Sequence, residues 1–191
     1  MSKTIIYFHG FKSSSESSKA KAFNGLIKTH SRKTQIIVPD IKDNILDSYA
    51  QIEDIIKSTK GDIAFVGSSL GGYYALYFSQ KNNTKAVLIN PAIPPLEGFD
   101  IYLGKNENYD TGNKFLITKD DINFLRSLSY KKIKYPENIL ILVESGDEIL
   151  DYIKTISYFS GSYISIAYGG DHSFSSFSHK FNQIQLFLDL N

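Results

Sequence analysis

The chain has 191 residues, of which 42% are hydrophobic, a length that suits one domain with a substantial core and is short for two. Its 21 Lys and Arg residues nearly balance its 20 Asp and Glu residues, so there is no sequence-wide basic field to attract nucleic acid or an anionic membrane. The absence of cysteine excludes disulfides, thiolate zinc sites and a cysteine nucleophile. We therefore expect a single domain over residues 1–191 that acts on a small molecule.

The first apolar run is too short to target or anchor the chain. It covers residues 4–8, which is less than the core of a signal peptide, and no later run approaches the roughly 18 apolar residues of a membrane helix. These features predict a soluble, cytoplasmic protein.

Six short apolar runs recur along the chain, with amphipathic segments between most of them. The runs span residues 4–8, 35–38, 63–66, 86–89, 139–143 and 163–167. Continuous apolar runs of this length, separated by helices, are typical of parallel strands that are buried on both faces. The pattern predicts an α/β fold with a mostly parallel sheet of about six strands.

Helical spacing is clearest in two segments. One contains Ile45, Tyr49, Ile52 and Ile56; the last contains Phe174, Phe177, Phe181, Ile184 and Leu188, with Ser173 as its predicted N-cap. The serine-rich stretch 13–18 predicts a loop that leads into a helix near residues 19–28.

Residues 91–136 interrupt this alternation. They contain one convincing helix, near 118–128, in which Thr118 and Asp121 form a capping box. A connection of this length predicts a lid insertion, which we place at 95–136. Its large apolar side chains either line an acyl pocket or pack the insertion onto the body; they are Phe99, Ile101, Tyr102, Leu103, Tyr109, Phe115 and Phe124.

The stretch FVGSSLGGYYAL resembles a nucleophile elbow, in which small residues two before and two after a serine let a strand and a helix approach closely. Only Ser69 has this spacing, between Gly67 and Gly71, and an apolar strand precedes it while a helical pattern follows. Ser68 is then a small spacer. A dinucleotide-binding fingerprint ending at Gly72 is disfavoured, because no acidic residue ends the next strand.

A serine nucleophile needs a base and an acid that orients the base, and in this architecture they follow the serine in the order acid, then histidine. Only His172 and His179 follow Ser69. His172 lies in a glycine-rich loop after the last strand, at the carboxyl edge of the sheet, and is the predicted base, whereas His179 falls within the final helical pattern. For the acid we expect Asp147. The alternatives are Glu148 and Glu144, and less favourably Asp171, the neighbour of His172.

The oxyanion of such a reaction needs two backbone N–H donors. One is that of Leu70, directly after the nucleophile, and the other is that of Phe11, in the loop after the first strand, where Gly10 allows close approach. His9 is interpreted as a scaffold residue. The histidines and carboxylates have no metal-ligand spacing, and the loop lacks the Gly-Lys-Ser order of a phosphate-binding loop. We therefore expect neither a metal nor another cofactor.

Five blocks in chain order resemble the YqiA-like esterases (UPF0227), a small bacterial branch of the α/β-hydrolase superfamily: FHGFKSSSESSKA, GSSLGGYYAL, NPAIPP, ESGDEILDY and GGDHSF. The resemblance spans nearly the whole chain and implies a compact α/β-hydrolase fold, a triad of Ser69, Asp147 and His172, and oxyanion donors at Phe11 and Leu70. It also implies hydrolysis of short-chain acyl esters, or of acyl thioesters.

The leading hypothesis is therefore a serine esterase or thioesterase that forms an acyl-enzyme. Two alternatives remain open from the sequence. The first is a ligand-binding protein that keeps the fold without the chemistry. The second is a triad hydrolase of another carbonyl bond, such as a peptide, a lactone or a carbon-carbon bond.

Overall fold

Strands and helices alternate through most of the chain in the computed structural model, which describes residues 3–31 and 33–190. In chain order they are β1 (Lys3–Phe8), α1 (Ser18–His30), β2 (Gln35–Ile37), α2 (Ile45–Ser58), β3 (Asp62–Ser68), α3 (Leu70–Asn82), β4 (Ala86–Ile89), β5 (Gly104–Glu107), β6 (Lys114–Ile117), α4 (Lys119–Ser127), β7 (Ile139–Glu144), α5 (Tyr152–Tyr158), β8 (Tyr163–Ala167) and α6 (Phe181–Leu188). Three short 3-10 helices, Phe99–Tyr102, Pro136–Asn138 and Phe177–Lys180, lie in the connections.

Six of these strands form one sheet in the order β2-β1-β3-β4-β7-β8, and every neighbouring pair is parallel. Ser69, Asp147 and His172 each follow a strand of this sheet, so all three come to its carboxyl edge. The predicted mostly parallel sheet of six strands is confirmed. The second strand ends at Ile37, one residue before the predicted end.

Helices cover both faces of the sheet, which is why its strands are continuously apolar. In β1, Ile6 and Phe8 pack in the cluster that includes α2, α3 and α4, while Ile5 and Tyr7 pack in the cluster that includes α1 and α6. All four side chains are buried. Within residues 3–31 and 33–190, no helix has the length and apolar character needed to cross a bilayer.

The final helix begins later than the spacing predicts. Phe174 has a φ of 58°, in the left-handed region that a right-handed helix cannot contain, and α6 starts only at Phe181. Phe174 and Phe177 are nevertheless buried, and the Phe177 ring packs 5.9 Å from that of Phe23 in α1. Ser173 is therefore no helix cap. We attribute the irregular backbone before α6 to the packing of both rings in the core cluster that includes α1.

The insertion contains more structure than the sequence pattern indicated. Its helix α4 has the predicted capping box, in which the Asp121 N–H donates to Thr118 Oγ1 at 3.2 Å and the Thr118 N–H donates to Asp121 Oδ2 at 2.8 Å. Before it, β5 and β6 form an antiparallel hairpin that was not predicted. The sequence of β5, GKNE, has no apolar residue and so gives no hydrophobic alternation.

Aromatic rings attach the insertion to the loop after β1. The ring of Phe11 lies 5.1 Å from that of Phe99, 4.9 Å from that of Tyr102 and 5.8 Å from that of Phe115, measured between centroids. Other large side chains of the insertion face solvent, including Ile101 and Tyr109. Packing onto the body therefore accounts for part of the apolar set, and its other members remain exposed.

Candidate active site

Ser69 lies in a tight turn between β3 and α3, with φ 54° and ψ −122°. A non-glycine residue in this region carries backbone strain, which proteins retain mainly at functional sites. A Cβ on Gly67 would collide with the backbone of Gly71, and a Cβ on Gly71 would collide with the carbonyl oxygen of Phe8. Both positions therefore require glycine. Backbone hydrogen bonds to the next loop fix the turn, including one from the Ala92 N–H to the Ser69 carbonyl at 3.1 Å.

The structure brings Ser69, His172 and Asp147 into one hydrogen-bonded row. His172 Nε2 lies 3.1 Å from Ser69 Oγ, and His172 Nδ1 lies 2.8 Å from Asp147 Oδ2 and 3.0 Å from its Oδ1. The Asp147 side chain is almost fully buried, while that of His172 is 18% exposed. A proton on Nδ1, donated to Asp147, leaves Nε2 free to accept the Ser69 hydroxyl proton.

The turn after β7 keeps Asp147 ionised. Its Oδ1 accepts the N–H groups of Ile149 at 2.9 Å and Leu150 at 2.8 Å. Burial raises the pKa of Asp147, but hydrogen bonds from His172, Leu150 and Ile149 outweigh it and hold the pKa below its ordinary value. A carboxylate in this state can stabilise a protonated imidazole beside it.

Two of the alternative acids, Glu144 and Glu148, hold the loop that carries His172. Glu144 is fully buried; its Oε2 accepts the Asp171 N–H at 2.7 Å and its Oε1 accepts the Ser176 N–H at 2.8 Å. Burial raises the pKa of Glu144, but hydrogen bonds from Ser176 and Asp171 outweigh it, so the pKa is lowered. Glu148 Oε2 accepts the His172 N–H at 2.9 Å. Both carboxylates thus bind loop backbone, and Asp147 alone of the three bonds to the imidazole.

Asn90 joins the end of β4 to the end of β7 and to the loop that carries His172, and no sequence pattern assigned it a role. Its Nδ2 donates to the carbonyls of Asp171 at 3.0 Å and His172 at 3.3 Å, while its Oδ1 accepts the Glu144 N–H at 3.0 Å. Its φ of 39° is one that asparagine tolerates better than most residues. The signal that could have found it is its position directly after β4, at the carboxyl edge of the sheet.

The two predicted oxyanion donors belong to neighbouring segments, Phe11 in the loop after β1 and Leu70 in the turn directly after Ser69. The point where a Cβ on Gly10 would stand is 3.5 Å from Ser69 Cβ, so the loop of Phe11 runs directly beside the nucleophile turn. This is ordinary contact, and a small side chain would fit at Gly10. Among the described residues, neither the Phe11 N–H nor the Leu70 N–H donates to a protein acceptor. Both groups are available to a substrate oxygen.

His9 links the loop after β1 to the loop after β2. It is buried; its Nε2 accepts the Ile41 N–H at 3.0 Å, which places the proton on Nδ1, and Nδ1 donates to the Gly10 carbonyl at 3.0 Å. Burial lowers the pKa of His9 from its usual value. These contacts suit a neutral scaffold residue, because a proton on Nε2 would break the bond to Ile41.

We expect His9 to make folding stability depend on pH. In the unfolded chain its imidazole gains a proton near pH 6.5, whereas the folded chain resists protonation, so the unfolded state binds more protons. The contribution of His9 to the free energy of unfolding should therefore be complete above about pH 6.5, and it should be lost as pH decreases through the lower, folded-state pKa. Urea unfolding between pH 5 and 7.5 measures this. His9→Gln should show a flatter profile, and equal slopes for both proteins would contradict the assignment.

An apolar cleft opens beside the row of polar residues, between the loop after β4 and helix α5. Its volume is about 730 Å³, and Ile93, Leu96 and Ile153 are among its lining residues. Two further lining residues connect it to the site: the Ala92 N–H bonds to the Ser69 carbonyl, and the Leu150 N–H bonds to Asp147. Mostly apolar concavities with a few polar groups at one end are typical of small-molecule sites.

Comparisons with known proteins agree with this architecture. A UPF0227 protein of Shewanella sp. (strain ANA-3) is 26% identical over an alignment of 162 residues, with 77% of this chain and 77% of that protein covered. Mouse alpha/beta hydrolase domain-containing protein 10 superposes with a TM-score of 0.75 at 17% identity, over 97% of this chain and 89% of that one. Est1E from Butyrivibrio proteoclasticus superposes with a TM-score of 0.65 at 17% identity, over 98% and 86%.

The similarity to the mouse protein identifies the fold as that of the α/β hydrolases. The family is identified by sequence: the model of UPF0227, described as an uncharacterised protein family, matches residues 4–189. The chain therefore belongs to the UPF0227 family and has an α/β-hydrolase fold.

Proposed function

We propose that the protein is a serine hydrolase that cleaves short-chain acyl esters or thioesters, with Ser69 as nucleophile, His172 as base and Asp147 as orienting acid. The observation that carries the proposal is the hydrogen-bonded row from Asp147 through His172 to Ser69, with its 2.8 Å and 3.1 Å steps. A serine hydroxyl is a poor nucleophile at neutral pH unless such a base lies within reach.

Acylation begins when His172 Nε2 takes the proton of Ser69 as Oγ attacks the substrate carbonyl carbon. The carbonyl oxygen becomes an oxyanion and accepts hydrogen bonds from the Phe11 and Leu70 N–H groups. Asp147 stabilises the imidazolium that has formed. When the tetrahedral intermediate collapses, the bond to the leaving alcohol or thiol breaks, and His172 returns its proton to that group.

Deacylation repeats these steps with water. His172 takes a proton from the water molecule as its oxygen attacks the acyl carbon, and the same two N–H groups hold the second oxyanion. Collapse of this intermediate breaks the bond to Ser69 Oγ, which regains its proton from His172. The carboxylic acid leaves, and the triad is restored.

The apolar cleft supports an acyl substrate. Its lining residues Ala92 and Leu150 donate hydrogen bonds to the Ser69 carbonyl and to Asp147, so the cleft adjoins the proposed triad and is our candidate for the acyl-binding site. Two structural neighbours bear names of the same class: Est1E, also solved with ferulic acid bound, and an esterase domain from Rhodothermus marinus. The insertion at 95–136, whose residues Leu96 and Phe99 line the cleft, then acts as a lid that helps to select the chain.

Intact-mass spectrometry after incubation with a fluorophosphonate tests the proposal even though the natural substrate is unidentified. We expect one adduct on the wild type and none on Ser69→Ala, because the probe reacts with an activated serine. Ser178→Ala, which removes an exposed serine, is the matched control and should be labelled like the wild type. No adduct on folded wild type would refute the hydrolase and favour a binding protein.

A substrate panel then determines the bond and the acyl length. Nitrophenyl esters and coenzyme A thioesters of increasing chain length separate ester from thioester hydrolysis, while lactones and short peptides represent the other carbonyl bonds. We expect kcat/KM to be highest for short acyl chains. Labelling with fluorophosphonate but no turnover of any ester or thioester would shift the assignment to another carbonyl substrate.

A further inference from the structure

Lys19 lies beneath the nucleophile turn, and the proposed reaction does not use it. Its Nζ donates to Ser68 Oγ at 2.7 Å, and Ser68 is a buried residue directly before Ser69. Within the described residues, no carboxylate lies within salt-bridge distance of this amine. Ser68 therefore has a definite partner, in addition to its predicted place as a small residue in the variable position of the elbow.

The position of Lys19 opposes the stability of its own helix. It lies in the first turn of α1, where Ser17 is the N-cap and accepts the Ala20 N–H. The N-terminus of a helix carries partial positive charge and disfavours a cation. Burial lowers the pKa of Lys19 to about 8, which shows that its protonated form is also poorly solvated. A residue that violates two local preferences is a candidate for a functional role.

Three carboxylates favour the protonated form of Lys19 from a distance. Glu144 acts from the end of β7, Asp147 from the turn after it, and Asp171 from the loop after β8. Asp171 Oδ1 is buried and has no hydrogen-bond partner among the described residues. The charges nearest in sequence, Glu16 and Lys21, form a salt bridge with each other at 3.0 Å. Lys19 thus offsets negative charge that is concentrated around the loop of His172.

We propose that Lys19 is a positioning residue, which in its protonated form holds the nucleophile turn through Ser68 and balances the carboxylates around His172. The inference rests on the proposed function. A charge-assisted hydrogen bond is stronger than a neutral one, so loss of the Lys19 proton should loosen the turn that carries Ser69 Oγ and the Leu70 N–H. Activity should then decline at alkaline pH, where an imidazole base alone would give a plateau.

The test is the rate constant of fluorophosphonate labelling between pH 6 and 9.5. For the wild type we expect a descending limb with its midpoint near pH 8. Lys19→Met should be slower by roughly 10- to 100-fold at neutral pH and lack that limb. Lys19→Arg should recover much of the rate and also lack the limb, because arginine keeps its proton. Lys21→Met, two positions along the same helix and exposed, should match the wild type.

Ser68→Ala tests the route of the effect. If Lys19 acts through Ser68, the double variant Lys19→Met, Ser68→Ala should be little slower than Lys19→Met alone. Additive losses in the double variant would show that Lys19 does not act through Ser68. An alkaline limb that persists in Lys19→Met would contradict the positioning role and leave Lys19 only a structural one. Should Lys19→Met fail to fold, the profiles of Lys19→Arg and Ser68→Ala decide. A wild type that is not labelled at all refutes the hydrolase itself, whereas a labelled wild type with unaffected variants refutes only the role of Lys19.

Discussion

Ser69→Ala and His172→Ala should each lower kcat by about a million-fold, and the double variant should be no slower than either single variant. In the proposed mechanism the two side chains act as one unit, because His172 Nε2 and Ser69 Oγ, 3.1 Å apart, exchange the same proton. Once either is lost, only binding and the oxyanion donors remain. Hydrolysis of a nitrophenyl ester measures the rates.

Circular dichroism and thermal melting must first show that the three variants fold. The Phe11 and Leu70 N–H groups are main-chain donors and survive both substitutions, so a slow reaction faster than uncatalysed hydrolysis should persist in each variant. Losses that multiply in the double variant would mean that the two residues act separately. Ser69→Ala with more than a hundredth of the wild-type kcat would show that another residue is the nucleophile.

Asp147→Asn should lower kcat by about 10⁴-fold and leave the fold intact. The retained Oδ1 can still accept the Ile149 and Leu150 N–H groups, so the turn after β7 persists. The new amide nitrogen, however, donates to His172 Nδ1 and moves the imidazole proton to Nε2, which then cannot accept the proton of Ser69. Steady-state kinetics measure the loss.

Asp120→Asn is the matched control for this substitution. Asp120 is an exposed carboxylate in the first turn of α4, remote from the proposed chemistry, and its amide variant should keep the wild-type kcat. Unchanged turnover in Asp147→Asn would show that the acid is wrongly assigned. Glu148 would be tested next, since it already contacts the backbone of His172.

The sheet and the candidate residues were predictable because both depend on short stretches of sequence. Apolar runs indicated the six strands, and Ser69, Asp147 and His172 each follow one of them closely. Parallel strands deliver their carboxyl ends to one edge, so residues far apart in the chain were expected to lie together there. The glycines around Ser69 were predictable for a similar reason, since only two or three residues determine the turn.

Contacts between distant residues were not predictable in this way. Ser68 and Lys19 are separated by 49 positions, and Asn90 and the Glu144 backbone by 54, and no periodicity relates them. Lys19 in particular looks like a solvated residue at the start of a helix until the fold places Ser68 above it. The path at Phe174 was missed because burial of its ring is compatible with a helix and with the left-handed turn that is present.

We assign Phe11 two separate tasks, one for its main chain in the proposed reaction and one for its side chain in packing. Its N–H is available beside Ser69, while its ring is enclosed by Phe99, Tyr102 and Phe115 of the insertion. Exchange of the insertion for that of a relative would therefore alter the support of a group that we expect to face the reacting carbonyl. A change in the insertion that altered substrate choice would therefore also alter the reaction rate, because both depend on the position of Phe11.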